Sequence, residues 1–404
     1  MTTLRGLLSR AVVPGLSVVT ALLIGAIVIV LTDLENLSRI GTDPVGAILG
    51  AVGGVGRGYG AMLSGAFGDP GRIVAAFQSG SPSDIATAIR PLSETLVAAT
   101  PLIFVGLAIT VSFRTGMFNV GGDGQFLLGA LGASGTAILL QPSGLPSLVI
   151  LIISIAIGTL FGAFWGVIPG FLKARTGAHE VITTIMLNYV ALQVVFYALV
   201  ATFVQQPGQG QPISRQFTWV DVPPIVALPA IRLDWGFIVA LIMAGAVSLL
   251  LFRTTKGFEL RAAGFNMTAA RYAGMSAGGS MMLAMAISGG LAGMGGSFVV
   301  IGTIGQLNLD ITGGIGFNAI ALALLAALRP SGVVLAALLF GALTTGGKLM
   351  GIESRIPFDL LFLIMALVIM FVAAPGLIRS IWRIKVRKPP PEVATMSQGS
   401  AGTV

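Results

Sequence analysis

Residues 147–170 read SLVILIISIAIGTLFGAFWGVIPG, a run of 24 residues without a charged side chain. A predominantly apolar helix of about 20 residues is long enough to cross the hydrocarbon core of a bilayer. Comparable runs recur along the chain, roughly at 12–32, 92–112, 124–141, 147–170, 180–204, 235–252, 278–302, 315–328, 331–347 and 357–376. The pattern predicts an all-α, polytopic membrane protein with about ten transmembrane helices.

The composition of the 404-residue chain supports the same class. Charged residues make up 9% of it and hydrophobic residues 55%, and the mean hydropathy is +0.95. An average soluble domain carries about 25% charged residues. Because this chain has too few ionisable groups to cover a water-facing surface, the composition excludes an ordinary soluble enzyme.

Catalytic and cofactor motifs are missing from the sequence. The chain has no Cys, which excludes disulfides and zinc-thiolate sites, and its one histidine, His179, cannot build a two-His metal site. The nearest approach to a P-loop, at 341–349, has Ala342 in place of the first Gly and Leu349 in place of Ser or Thr. We therefore expect no catalytic residue, metal or cofactor in this chain, and ATP that drives it must be bound by a separate protein.

Basic residues are unevenly distributed between the predicted spans. With the N-terminus inside and ten spans, the inner segments hold 15 of the 23 basic residues, whereas 11 of the 15 acidic residues fall outside. Lys and Arg resist transfer to the outer side of a membrane. The distribution therefore predicts that both termini are cytoplasmic. It also attributes the net charge of +8 to topology and not to nucleic-acid binding.

The predicted organisation has one domain and a tail. A single transmembrane domain covers 1–376, and 377–404 forms a tail that is basic and then disordered. Within the domain, 33–91 is a Gly-rich, weakly amphipathic outer segment that we expect to form interfacial helices. An inner loop covers 253–277 and is termed the coupling loop below. It is far longer than a bare connector between antiparallel helices, which needs only about 2–8 residues.

Small residues recur every four positions along the fourth predicted span, and a matching pair lies in the seventh. Residues at this spacing share one side of a helix, where a second helix can approach closely. We expect close packing here, with a substrate-lining surface as the alternative. The glycines are Gly158, Gly162, Gly166 and Gly170, with Gly289 and Gly293 as the pair.

Two Gly-rich stretches with polar side chains interrupt the apolar pattern, at 113–125 and 305–318. Irregular backbone at membrane depth is tolerated only where protein or a water-filled cavity satisfies it. The stretches lie five spans apart, an odd offset that inverts orientation, so they indicate an inverted repeat whose broken segments meet near a substrate path. A pair of ordinary Gly-rich loops is the alternative. Their candidate path residues are Phe118, Asn119, Asp123, Gln125, Phe317 and Asn318.

A polar stripe begins the fifth predicted span. Glu180, Thr184 and Asn188 are spaced four residues apart and share one helix face. In an apolar span such a stripe either hydrogen-bonds to neighbouring helices or lines a passage. Both alternatives stay open, and the three residues join the candidate translocation path.

The coupling loop contains a short helix that we predict between 266 and 273. Asn266 is a suitable N-cap, and Gly274 is suited to the C-terminal turn. The helix has small residues on one side and carries Arg271 and Tyr272, features suited to docking in a groove of a partner protein. A helix lying on the membrane surface is the alternative.

Three phrases resemble the permease subunits of bacterial ABC importers for nucleosides and simple sugars, the ribose-type permease superfamily. Residues 118–125 (FNVGGDGQ) resemble the family phrase FNIGAEGQ, and 179–191 (HEVITTIMLNYVA) resemble NEVITTIMLNYIA. Residues 261–275 (RAAGFNMTAARYAGM) resemble RAxGxNxxAAxYAGI, which in the family contacts the ATPase. The departures are mild: Asp123 stands where Glu is common, and His179 stands where Asn is frequent.

The resemblance covers roughly 60–376 and implies a function and partners. It implies a permease subunit of the cytoplasmic (inner) membrane that forms a path by alternating access, with nucleosides favoured over simple sugars. The implied partners are a cytoplasmic ABC ATPase with two nucleotide-binding domains that binds ATP and Mg²⁺, a second homologous permease, and an extracytoplasmic substrate-binding lipoprotein. The residues implied in ATPase coupling are Arg261, Gly264, Asn266, Ala269, Ala270, Tyr272 and Gly274.

Two other classes of function remain alternatives. An ion-coupled secondary transporter usually keeps ionisable residues near the membrane midplane, and the predicted spans carry few of them. A membrane-embedded enzyme needs a nucleophile, a metal or a carboxylate pair, and the sequence offers no convincing set. Co-purification of an ATPase would separate both classes from an ABC importer.

Overall fold

The computed structural model describes residues 2–217, 231–354, 356 and 358–383. Their regular structure is helical, without a strand among the described residues, which confirms the all-α class. Of the predicted tail 377–404, the structure describes 377–383, which include the end of a helix, and 384–404 lie outside the described residues. The helices are α1 (Thr2–Thr32), α2 (Leu34–Ser38), α3 (Pro44–Phe67), α4 (Pro70–Ser79), α5 (Pro82–Arg114), α6 (Gly122–Leu140), α7 (Ser147–Thr176), α8 (Glu180–Ala201), α9 (Trp235–Arg253), α10 (Thr255–Phe265), α11 (Met267–Tyr272), α12 (Ala277–Phe298), α13 (Ile315–Leu325), α14 (Pro330–Ser354), α15 (Phe358–Ala373) and α16 (Pro375–Ile381).

Eight of the described helices are long and apolar enough to cross a membrane, namely α1, α5, α6, α7, α8, α9, α12 and α14. The predicted spans 315–328 and 357–376 correspond to the shorter helices α13 and α15, of 11 and 16 residues. At 1.5 Å per residue, α13 rises only about 16 Å, roughly half the hydrocarbon thickness. The count of ten spans therefore stays a prediction.

Helices α7 and α12 pack along the Gly face of the fourth predicted span. A side-chain carbon at Gly162 would lie 2.7 Å from the Cα of Gly293, and one at Gly293 would lie 2.9 Å from the Cα of Gly162. Because any larger residue would collide with the facing backbone, only Gly permits this approach. The predicted packing seam is confirmed. Helices α5 and α12 are the most buried of the spanning helices and form the centre of the molecule.

The predicted outer segment 33–91 folds into α2, α3, α4 and the first part of α5. Helix α3 lies against α14, where a side-chain carbon at Gly65 would come within 3.0 Å of the Cα of Gly346. The hydroxyl of Tyr59 donates to the carbonyl of Leu22 at 2.5 Å and ties α3 to α1. The segment is therefore packed on the spanning helices, while its contact with the membrane surface stays a prediction.

A sharp break separates α13 from α14. Residues 328–332 (LRPSG), between the predicted spans 315–328 and 331–347, predict a helix break at Pro330. Ala327 and Leu328 adopt left-handed backbone, with φ of 49° and 54°. L-residues rarely adopt this conformation, so surrounding interactions must hold it. Helix α14 then begins at Pro330, whose ring favours the first turn of a helix.

Candidate functional site

The two Gly-rich stretches lie against each other where α6 and α13 begin. The backbone N–H of Gly316 donates to the carboxylate of Asp123 at 2.8 Å. A side-chain carbon at Gly122 would lie 3.3 Å from the Cα of Gly316. Residues 118–124 together with 314–318 are termed the junction below. The predicted meeting of the two segments is present, whereas the inverted repeat stays a prediction.

A buried polar network holds the irregular turn at 118–124, the first part of the junction. The side-chain amide of Asn119 donates to Ser288 Oγ at 2.9 Å and to Gln125 Oε1 at 3.0 Å, and its oxygen accepts from the N–H of Gly121 at 2.8 Å. Ser288 Oγ donates in turn to the carbonyl of Ala108 in α5 at 2.8 Å. Asn119 and Gln125, both candidate path residues, are thus fully buried and paired inside the protein in this conformation.

The polar stripe of α8 holds the same turn from the other side. Thr184 Oγ1 accepts from the N–H of Val120 at 3.2 Å. Asn188 accepts from the N–H of Gly124 and donates to the carbonyl of Val120, both at 2.9 Å. These bonds satisfy backbone groups that an irregular turn leaves without helical partners. Of the two alternatives for the stripe, hydrogen bonding to a neighbouring segment is the one observed for Thr184 and Asn188.

The remaining candidate path residues are more accessible. Phe118 stacks on Phe113 with ring centres 4.3 Å apart, and it is 44% exposed. Phe317 is 60% exposed, and Asn318 and Asp123 are half-buried. The accessible residues of the junction therefore include two aromatic rings, an amide and a carboxylate.

The acidic side chains of the candidate path already have partners. Asp123 accepts from Gly316, and Glu180 forms an ion pair with Lys173 of α7 at 2.8 Å. Among the residues that the structure describes, no group of three or more His, Cys, Asp or Glu side chains is placed to hold a metal ion. The junction can offer a ligand hydrogen bonds beside the flat apolar rings of Phe118 and Phe317.

The coupling loop contains α10 and α11, joined at Asn266. The side chain of Asn266 accepts from the N–H of Ala269 at 3.0 Å, and Gly274 has a φ of 80° beyond the end of α11. The predicted cap, helix and C-terminal turn are confirmed. Ala270 is buried against the protein, whereas Ala269 is exposed, so α11 presents one side to the protein and the other to its surroundings.

Other predicted coupling residues fix the loop to the spanning helices. A side-chain carbon at Gly264 would lie 2.9 Å from the backbone nitrogen of Gly116, beyond the end of α5. The guanidinium of Arg261 lies 5.4 Å from the ring centre of Phe252. Because these contacts face the protein, Arg261 and Gly264 hold the loop in place and leave α11 exposed.

Two large aromatic side chains protrude from the coupling loop. Phe265 is 87% exposed and Tyr272 is 90% exposed. Aromatic residues exposed in this way are characteristic of protein–protein contact surfaces. A cleft of about 840 Å³ opens between α10 and the turn after α11. Tyr272 is among the predicted coupling residues, whereas Phe265 is not. The one local feature that marks Phe265 is its position directly before the N-cap Asn266.

Comparison with known proteins decides the family. A family model described as "Branched-chain amino acid transport system / permease component" matches residues 92–374, which include the junction and the coupling loop. The chain belongs to this permease family. The permease is therefore a membrane protein, and the resemblance drawn from the three sequence phrases is confirmed.

Several curated relatives are similar to the permease over most of their length. The guanosine ABC transporter permease protein NupP of Bacillus subtilis is 37% identical, over 83% of this chain and 90% of the relative. The nucleoside ABC transporter permease protein NupB of Lactococcus lactis is 35% identical, over 72% and 80%. The glucose ABC transporter permease protein TsgB13 of Haloferax volcanii is 35% identical, over 69% and 75%. No solved structure matches the permease significantly.

Proposed function

We propose that the permease is the transmembrane subunit of an ATP-driven importer for nucleosides and forms their translocation path by alternating access. The observation that carries the proposal is the similarity to the guanosine permease, which extends over 83% of this chain at 37% identity. A second relative is named for nucleosides in general. The family membership also favours an importer subunit over an ion-coupled carrier or a membrane-embedded enzyme.

The chemistry of the junction supports a nucleoside. A nucleoside offers ribose hydroxyls, base edges and a flat ring, so its path needs polar groups beside aromatic surface. Phe118 and Phe317 supply exposed rings, and Asn318 supplies a half-buried amide that can both donate and accept. Asn119, Gln125, Thr184 and Asn188 form the support behind this surface.

Variants of Asn318 and Asn188 test the distinction between the exposed surface of the path and the residues that support it. Asn318→Leu removes an amide from the accessible side, so we expect it to slow nucleoside uptake severalfold with assembly intact. Asn188→Leu removes two bonds to the turn backbone, so we expect slower uptake together with a lower melting temperature. Normal uptake in both variants would show that the path runs along another helix face.

The partners are proposed on two features of this chain. The sequence lacks a P-loop, and the coupling loop exposes Phe265 and Tyr272 at its surface. We infer that a cytoplasmic ATPase with two nucleotide-binding domains docks on α11 and binds ATP and Mg²⁺. A second homologous permease and an extracytoplasmic substrate-binding lipoprotein complete the importer. Co-purification of an ATPase with the tagged permease tests this assignment, and a permease that purifies alone from membranes would contradict it.

The proposed topology has ten spans, an inverted repeat and both termini in the cytoplasm. It is supported by the excess of basic residues on the predicted inner side. Arg114, Arg253 and Arg261 gather at the coupling loop end of the helices. At the other end, Arg232 pairs with Glu94 through two charge-assisted hydrogen bonds, and this pairing raises the pKa of the Arg232 guanidinium.

A simple sugar is the second candidate substrate. The similarity to the glucose permease, at 35% identity over 69% of this chain, specifically favours it. A sugar shares the hydroxyl groups of a nucleoside but lacks the flat base. Competition by unlabelled glucose against labelled nucleoside therefore discriminates the two: we expect no competition, and strong competition would favour the sugar.

A further inference from the structure

We propose that Arg114 is a positioning residue through which the coupling loop moves the junction. The inference deepens the proposed function and rests on it, because it concerns how an ATPase bound at α11 changes the path. Arg114 lies in the last turn of α5, between the coupling loop and the break that ends α13.

The first step is the contact of Arg114 with the helix break. Its Nε donates to the carbonyl of Leu328 at 3.0 Å, and a terminal nitrogen donates to the carbonyl of Ala327 at 3.2 Å. Both acceptors belong to the residues with left-handed backbone. Carbonyls beyond a helix end lack helical partners, and a cation is favourable at that end. One guanidinium therefore holds the strained break that fixes the end of α13.

The second step is the contact of Arg114 with the coupling loop. Arg114 and Arg261 both lie over the ring of Phe252, at 5.5 and 5.4 Å from its centre. The backbone of Gly264 at the end of α10 lies directly against the carbonyl of Arg114 and the nitrogen of Gly116. Because these contacts involve backbone atoms without an intervening side chain, a shift of α10 must displace the end of α5.

Helix α13 is short enough to carry movement from the break to the junction. Its 11 residues run from the junction, where Gly316 donates to Asp123, to the break held by Arg114. A helix of this length rises about 16 Å and transmits displacement as a rigid body. A movement of the coupling loop therefore reaches Phe317 and Asn318 through Arg114 and α13.

A second contact links the coupling loop to the other side of the junction. Met267 of α11 packs against a buried cluster that contains Met117, Met281 and Met285. Met117 is two residues before the buried Asn119. Because Met side chains are flexible and adapt to new packing, this contact is soft, whereas the contact through Arg114 is directional. The directional contact is therefore the one that we expect to control coupling.

The test compares Arg114→Gln, Arg114→Lys and the control Arg175→Gln in the purified complex of the permeases, the ATPase and the substrate-binding lipoprotein, which is termed the receptor below. Arg175 also lies in the last turn of a spanning helix, α7, and over a ring, 5.9 Å from the centre of Phe171. ATP turnover is measured with and without nucleoside-loaded receptor, beside uptake per ATP hydrolysed. We expect Arg114→Gln to keep basal turnover and to reduce the stimulation by roughly tenfold, a factor typical of coupling between sites.

Partial recovery in Arg114→Lys and normal stimulation in Arg175→Gln would complete the expected result. Unchanged stimulation in Arg114→Gln, or an equal loss in Arg175→Gln, would overturn the proposal. If Arg114→Gln does not assemble, Phe252→Leu removes the ring beneath the guanidinium and leaves its hydrogen bonds, and the same reduced stimulation is expected. Normal stimulation there would also overturn it. A wild-type complex without nucleoside uptake would instead refute the proposed function.

Discussion

The carboxylate of Asp123 accepts a hydrogen bond from the backbone N–H of Gly316, 193 residues away, at 2.8 Å. The bond joins the start of α6 to the start of α13. Because Gly316 is buried, its N–H needs a protein partner. Asp123 therefore fastens together the two irregular segments beside which the path is proposed to run.

Replacing Asp123 by Ala should weaken the junction. The variant leaves a buried N–H without an acceptor, which costs about 1–3 kcal/mol. We expect nucleoside uptake to fall roughly tenfold at normal membrane level. Asp123→Asn is the matched control, since its amide oxygen can still accept, and it should retain most uptake. Initial uptake rates normalised to permease content check this, and equal loss in both variants would show that the charge matters and not the hydrogen bond.

The seam between α7 and α12 predicts a difference between two Gly→Ala variants. At Gly162 the new carbon would lie 2.7 Å from the Cα of Gly293, whereas a carbon added at Gly245 in α9 would meet no atom within 4 Å outside the backbone of its own helix. Overpacking costs about 1–3 kcal/mol, while Ala is about 1 kcal/mol better than Gly in a helix interior. We expect a lower melting temperature in detergent for Gly162→Ala and an unchanged or higher one for Gly245→Ala. Equal melting temperatures would contradict a close-packed seam.

Two Ala→Asp variants of α11 should differ in effect, because one of the two alanines is exposed and the other is buried. Ala269 is exposed, so Ala269→Asp should leave the permease folded yet abolish ATPase binding or substrate-stimulated ATP turnover. Ala270 is 3% exposed, so Ala270→Asp should lower the amount of folded permease itself. Ala269→Ser is the control that keeps the size small without a charge. Undiminished stimulated turnover in an assembled Ala269→Asp complex would remove α11 from the docking surface.

The proposed topology predicts which side of the membrane each loop faces. The chain contains no Cys, so a single introduced thiol reports its own position. Gln209 and Thr255 are both exposed. We expect Gln209→Cys to react with an impermeant thiol reagent in intact cells and Thr255→Cys to react only after permeabilisation. The reverse pattern would invert the topology, because both assignments depend on the same charge asymmetry.

Features with local signals were predictable from the sequence. The recurrence of Gly158 to Gly170 predicted the packing seam, Asn266 predicted the cap of α11, and Pro330 predicted the helix break. Each signal is encoded within a few turns of one helix, through side-chain size, a capping side chain or a missing N–H. The odd offset of the two Gly-rich stretches favoured their meeting, which the bond between Asp123 and Gly316 shows, but left a pair of ordinary Gly-rich loops as the alternative.

Features that depend on distant partners were not predictable. Helical spacing placed Thr184 and Asn188 on one face but left two readings open, because their partners Val120 and Gly124 lie 64 to 68 residues away. The bonds of Arg114 to Ala327 and Leu328 cross more than 200 residues, so no local pattern around this arginine indicates them.

Uptake of a labelled nucleoside by proteoliposomes tests directly whether the permease belongs to an ATP-driven nucleoside importer. They would contain the permease, its ATPase and the second permease, with ATP inside, loaded receptor outside and no ion gradient. We expect nucleoside accumulation that requires ATP hydrolysis and is insensitive to glucose. Accumulation that needs an ion gradient and no ATP hydrolysis, or transport of glucose in place of the nucleoside, would contradict this expectation.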